Sequence, residues 1–185
     1  LVAANPGIRQ LTARAGHVKK ALPHLDLLSI NRVEAEALMP AFAARAAGSD
    51  PDPDTDAPAL IRRGLSSGAF EMGLLRFLEA VRAAGPRWVL VTDGIEGAWL
   101  ASPEGVFWHP ALPVTVQGTA GAGDSYTSTL TAALAEGAAP GEAMLQAAIN
   151  SAAVVGALDT TSGLMTPEAM AARREALGEV ELRQF

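Results

Sequence analysis

No cysteine occurs among the 185 residues. Disulfide scaffolds, thiolate zinc sites and cysteine nucleophiles are thereby excluded together. Basic residues are in deficit as well, 14 Lys+Arg against 20 Asp+Glu, for a net charge of −6. An acidic, dispersed balance argues against a nucleic-acid binder held by a basic face. No apolar run approaches the roughly 20 residues needed to span a bilayer. Residues 1–10 lack a charged segment followed by an apolar one, so no signal peptide is read. The expectation is no nucleic-acid partner, no membrane partner and a cytoplasmic location. His17, His24 and His109 are scattered without ligand spacing, which disfavours a metal hydrolase. The first two are expected at the surface and His109 at a strand end.

What remains is a globular composition, 49% hydrophobic and 18% charged. A chain of this length buries about 70% of its surface on folding and needs no staple. The first residue is Leu1, not Met, and the chain opens inside what reads as a strand. The expectation is a chain cut from something longer.

Residues 1–4 form a short apolar run that Asn5, Pro6 and Gly7 stop. Helical spacing follows around residues 11–22, then a second strand-length apolar run at 25–30. Asn31 comes directly after it, and Glu34 and Glu36 fall in the first turns of an Ala-rich helix expected over 33–47. Asp50, Asp52, Asp54 and Asp56 alternate with Pro and Thr near residues 48–57. The glycine and bidentate glutamate of a calcium loop are missing there, so this is read as a solvated insertion. Residues 70–84 return to helical spacing and stop at Gly85 and Pro86. Strands are expected at 88–91, 98–101 and 106–109, the last two joined through Pro103, Glu104 and Gly105 as a ribbon. A glycine-rich turn then precedes a helix reaching about Glu136, with Gly137 as its stop. Residues 142–158 are apolar nearly all round apart from a narrow stripe of Glu142, Gln146 and Asn150. Thr166 caps a last helix with Pro167 at its first position. This alternation predicts an α/β layer fold with a mainly parallel sheet. No domain boundary is evident, and residues 1–185 read as one domain with an acidic insertion.

In open α/β sheets the ligand sits beyond the C-terminal ends of the strands. Asn5, Asn31 with Glu34, and Thr92 with Asp93 follow three such ends. Singly, each is an ordinary turn former or cap. The sharpest feature is the run Gly118, Thr119, Ala120, Gly121, Ala122, Gly123, Asp124. Glycines before a helix let backbone N–H groups curl around an anion, aided by the helix dipole. The dinucleotide fingerprint fails, because Tyr126 stands where its third glycine belongs. The Walker spacing is met by Gly118 and Gly123, but Asp124 replaces the lysine. A carboxylate beside a resting phosphate repels it. A phosphoryl transfer to an alcohol wants both groups, the N–H cradle for charge and the carboxylate for the hydroxyl proton. The plainer alternative is Asp124 as a helix N-cap.

These residues resemble the second signature of the ribokinase-like (PfkB-type) carbohydrate kinases, Asp-Thr-x-Gly-Ala-Gly-Asp. Asn31, Arg32, Val33 and Glu34 resemble the family's Asn-x-x-Glu motif. Thr92, Asp93, Gly94 and Gly97 resemble its Thr-x-Gly-x-x-Gly nucleotide loop, and Asn150 matches an asparagine beside the adenine. The resemblance spans nearly the whole chain. It implies a ribokinase-like three-layer αβα fold lacking the N-terminal half and its β lid. It implies Asp124 as catalytic base, with Gly121, Ala122 and Gly123 as the anion hole. Asn31 and Glu34 would organise Mg²⁺ and the ATP phosphates, while Thr92, Asp93, Gly94, Gly97 and Asn150 would hold the rest of the nucleotide. The acceptor implied is a small-molecule sugar or nucleoside, bound by the missing half, which would also carry the contacts of a homodimer.

Departures are present. Gly118 stands where the family usually has Asp, which counts against dependence on a monovalent cation, and Ala120 fills the motif's variable third position, where the family usually has Thr. Thr129 replaces a usual Gly or Ala. Two further functional classes compete with the kinase half: a non-catalytic nucleotide-binding fragment or regulator, and a dehydrogenase-type domain, which the failed fingerprint disfavours.

Overall fold

Pro6 and Gly7 end the first strand early, leaving β1 (Ala3–Ala4) only two residues long. The computed structural model describes residues 1–43 and 56–185. The chain divides into two compact units, Leu1–Val106 and Phe107–Phe185.

In the first unit α1 (Ile8–Ala21) leads to β2 (Leu27–Asn31), and α2 (Arg32–Leu38) starts at once. The expected helix over 33–47 is shorter than its alanine content suggested. Pro40 lacks an N–H and crowds the preceding turn, so α2 gives way to a 3₁₀ turn at Met39–Ala41. Residues 44–47 of that expectation lie outside the described residues, as do residues 48–55 of the acidic insertion. After α3 (Ala59–Arg63) the structure departs again from expectation. Residues 70–72 are not helical: β3 (Leu65–Ser67) and β4 (Phe70–Met72) form an antiparallel hairpin. Its two-residue turn places Gly68 first, at φ 60°, a conformation that glycine adopts without strain. The helix begins only after Gly73, as α4 (Leu74–Arg82), burying Leu74, Phe77, Leu78 and Val81 along one stripe.

β5 (Trp88–Thr92) and β6 (Ala98–Ser102) complete the unit's sheet, in the order β1-β2-β5-β6. The first three strands run parallel and β6 antiparallel. The mainly parallel α/β sheet read from the sequence is therefore present. β2 and β5 are buried over four consecutive residues each, as central parallel strands require. α2 packs on β2 and β5, and α4 on β5 and β6.

β7 (Gly105–His109) carries the chain into the second unit, where Trp108 pairs with Arg183 of a short antiparallel strand at Arg183–Gln184. α5 (Ala122–Ala135) and α6 (Pro140–Val155) pack along each other, and α7 (Pro167–Leu177) rests on α6. That last strand is β8. α6 buries eight of its residues, in keeping with its apolar run, but it ends at Val155 with Gly156 as its cap, short of the expected 158, and Leu158 is exposed. Thr166 caps α7 as its sequence foretold, its hydroxyl accepting the Ala169 N–H at 3.3 Å. Among the described residues no helix is long and apolar enough to cross a membrane.

Candidate functional site

The first unit brings Asn31, Glu34, Thr92 and Asp93 to the C-terminal ends of two neighbouring parallel strands, with Asn31 and Thr92 in register. Asn31 is the N-cap of α2. Its Oδ1 accepts the Glu34 N–H at 2.9 Å, and its own N–H donates to Glu34 Oε2 at 2.8 Å. The pair forms a reciprocal capping box, so the Asn-x-x-Glu spacing has a local structural use here. Asp93 is more enclosed, with a side chain only 8% exposed. Its Oδ1 accepts from Arg32 Nε at 2.9 Å, and its Oδ2 accepts from Arg63 Nη2. Both carboxylate oxygens are occupied by guanidinium groups. Hydrogen bonding to Glu36, outweighing partial burial, raises the Arg32 pKa above its ordinary value. The loop then turns tightly, Asp93 N–H donating to the Gly97 carbonyl at 2.8 Å, with Gly94 and Gly97 at φ 57° and 98°.

The second unit brings together Gly121, Ala122, Gly123 and Asp124 as the opening of α5. Gly121, not Asp124, is the cap residue. Its φ of 81° is left-handed, and a Cβ added there would meet Thr160 Cβ at 3.0 Å. Asp124 sits in the first helical turn, exposed, on the side where the dipole favours an anion. The N–H of Ala122 donates to the Thr119 carbonyl at 3.4 Å, and the positive end of the helix dipole makes this start suited to receiving a phosphate. Around it the backbone is fastened. The Ala122 carbonyl accepts from Ser125 Oγ and Ser151 Oγ, each at 3.0 Å, and Thr127 Oγ1 donates to the Gly123 carbonyl at 2.8 Å.

Asn150 is buried. Its Nδ2 donates to Thr129 Oγ1 at 2.8 Å and its Oδ1 accepts the Met165 N–H at 3.0 Å. The unusual Thr129 thus has a physical reason, since a Gly or Ala would leave that amide donor without this partner. Sequence reasoning passed over the segment after α6. There Asp159 accepts from the Thr161 and Ser162 N–H groups at 2.8 and 2.7 Å and from both hydroxyls. Hydrogen bonds led by the Ser162 hydroxyl hold its carboxyl far below the usual carboxylate range. The turn sets Thr160 against Gly121. An Asp two and three residues before paired hydroxyls was the signal available for it. His109 ends β7 as expected. Its Nδ1–H donates to the Pro110 carbonyl at 2.6 Å, and its Nε2 accepts from the Tyr126 hydroxyl at 2.7 Å. Burial pushes the His109 pKa down and the Tyr126 pKa up.

Among the described residues no three acidic or histidine side chains gather as a ready metal cage. Glu34, with one oxygen committed to the cap, suits a Mg²⁺ ion that keeps its waters and takes most other ligands from phosphates.

Residues 3–167 match the family of pfkB carbohydrate kinases. No curated protein gives a significant match. Among solved structures, the ribokinase of Thermotoga maritima is 22% identical with a TM-score of 0.68, covering 95% of this chain and 49% of its own. A nucleoside kinase of Methanocaldococcus jannaschii, described as an archaeal member of the ribokinase family, is 21% identical with a TM-score of 0.68, covering 95% and 48%. An Escherichia coli protein assigned as ribokinase II, in complex with ATP and Mg²⁺, is 17% identical with a TM-score of 0.68, covering 95% and 49%. At these identities the likeness establishes the fold. The chain spans about half the length of the structures it matches.

Proposed function

The chain belongs to the pfkB family of carbohydrate kinases, and from that premise we propose that it is the nucleotide-binding half of a kinase transferring the γ-phosphate of ATP to an alcohol group of a sugar or related small molecule. The observation that carries this reading is the opening of α5. There a left-handed Gly121, an unencumbered Gly123 and an exposed Asp124 fall within four residues of one helix start.

Each group has one task. The backbone N–H groups from Gly121 to Gly123 stabilise charge on the transferring phosphoryl group. The acceptor hydroxyl oxygen forms the new bond to phosphorus, its proton passes to Asp124, and ADP departs. Thr92, Gly94 and Gly97 line the nucleotide. Asn31 and Glu34 would hold Mg²⁺ through its waters, and the ion, when bound, neutralises charge on the phosphates. Asn150 shapes the wall of the nucleotide site through its bonds to Thr129 and Met165.

Asp124→Asn tests the assignment in the enzyme supplied with its acceptor-binding half. The amide preserves size and removes the proton acceptor. Losing a positioned base costs 10²–10⁴-fold in rate, so kcat is expected to fall by about that factor. Stability should move by no more than about 1 kcal/mol, since one helix-dipole charge is lost. Mg-ATP should still bind, measured by calorimetry, with a Kd of roughly micromolar order. Turnover within a few-fold of the unsubstituted enzyme would end the proposed mechanism.

A further inference from the structure

Two arginines at the strand ends have no part in the roles above. Arg32 is the first residue of α2, where the positive end of the helix disfavours a cation. It is nevertheless held there, Nε on Asp93 Oδ1 at 2.9 Å and Nη1 on the Glu36 carboxylate at 2.9 and 3.0 Å. Arg63 closes α3 and donates Nη2 to the other oxygen of Asp93. The shared carboxylate is inside and the guanidinium groups are outside: 8% exposure for the Asp93 side chain against 34% and 47% for Arg32 and Arg63. Arg32 Nη2 and Arg63 Nε and Nη1 donate to no atom of the described residues. Two planar forks are thus oriented by one anchor and keep donors in hand. They stand beside adjacent parallel strand ends, where α/β sheets receive ligands.

We infer that Arg32 and Arg63 grip the polyphosphate of the nucleotide, and that Asp93 is a positioning residue that aims both rather than a nucleotide ligand itself. The inference rests on the nucleotide-binding reading. Guanidinium forks match phosphate oxygens in geometry and charge. Fixing them beforehand on a buried carboxylate removes much of the ordering entropy that a long free side chain loses on binding.

Calorimetry with Mg-ATP, inorganic tripolyphosphate and adenosine separates the outcomes. Arg63→Ala should weaken Mg-ATP and tripolyphosphate by roughly tenfold, the scale of a lost charge-assisted hydrogen bond, and leave adenosine unchanged. Arg63→Lys should recover part of the loss, because it restores the charge without the fork. Asp93→Asn should weaken both anions with both arginines still present. That variant is judged only with an unaltered circular-dichroism spectrum, and the half-exposed Arg63 carries the test otherwise. Equal affinity of Arg63→Ala and the unsubstituted chain for both anions overturns the inference and leaves the nucleotide reading standing. Failure of the unsubstituted chain to bind Mg-ATP overturns both.

Discussion

Gly121 and Gly123 stand in one turn for different physical reasons. Gly121 has a left-handed φ of 81° and a neighbour, Thr160, at 3.0 Å from where a Cβ would be. Folding alone accounts for it. Gly123 lies in the helix, and a Cβ there would meet nothing within 4 Å. Its fold has no need of glycine, and Ala is the better helix former by up to about 1 kcal/mol. Gly123→Ala should therefore melt at the same temperature or higher. If the N–H groups of this turn hold phosphate, the added methyl obstructs the approach, and Mg-ATP affinity should fall by roughly tenfold on a calorimetric scale. Full affinity in a stable Gly123→Ala protein would remove the cradle. At this scale the sequence was legible in types and spacing. It did not disclose that Asp93 is shared by two arginines, because partners 30 and 61 residues away enter only on folding.

Elements differ in how openly the chain declares them. Strands β2 and β5 and helix α6 were plain from continuous apolar runs, since burial on all sides demands nothing else. The β3–β4 hairpin was not, because three-residue strands carry too little periodicity to compete with the helical pattern that follows. One element junction has a pH dependence. His109 at the end of β7 and Tyr126 of α5 stack at 6.0 Å between ring centroids and share a buried hydrogen bond. Burial depresses the His109 pKa below its ordinary 6.5. The unfolded chain therefore takes up a proton that the folded one refuses. The contribution of this site is complete above about pH 6.5 and is lost as pH falls from there toward the folded pKa. The urea midpoint should drop between about pH 7 and pH 5, this site adding at most about 1.4 kcal/mol per pH unit. His109→Gln, which cannot titrate, should flatten that part of the slope. An identical slope in the variant would show that other groups cause it.

For the whole molecule, the relevant fact is that the chain spans about half of the kinases it resembles. In the first unit β1 lies at the end of the sheet order, and Leu1, Val2 and Ile95 are 51%, 55% and 86% exposed. In the second, Leu158 is 85% exposed. An open strand edge and uncovered apolar side chains both promote association. If a missing half normally covers such surfaces, light scattering of the isolated chain should show an apparent mass that rises with concentration. A constant monomer mass at high concentration would indicate that this chain needs no such cover.

The alternation of strands and helices, the glycine turn before α5 and the family motifs in their order are all written in the order of residues. Those are local properties: periodicity, capping and backbone freedom act over a few residues and can be read where they stand. Tertiary structure alone decided which polar groups are already engaged. Asn150 is tied to Thr129 and Met165, Asp93 to Arg32 and Arg63, and His109 to Tyr126. A buried polar group must find a partner wherever the fold brings one, and that partner has no fixed distance along the chain.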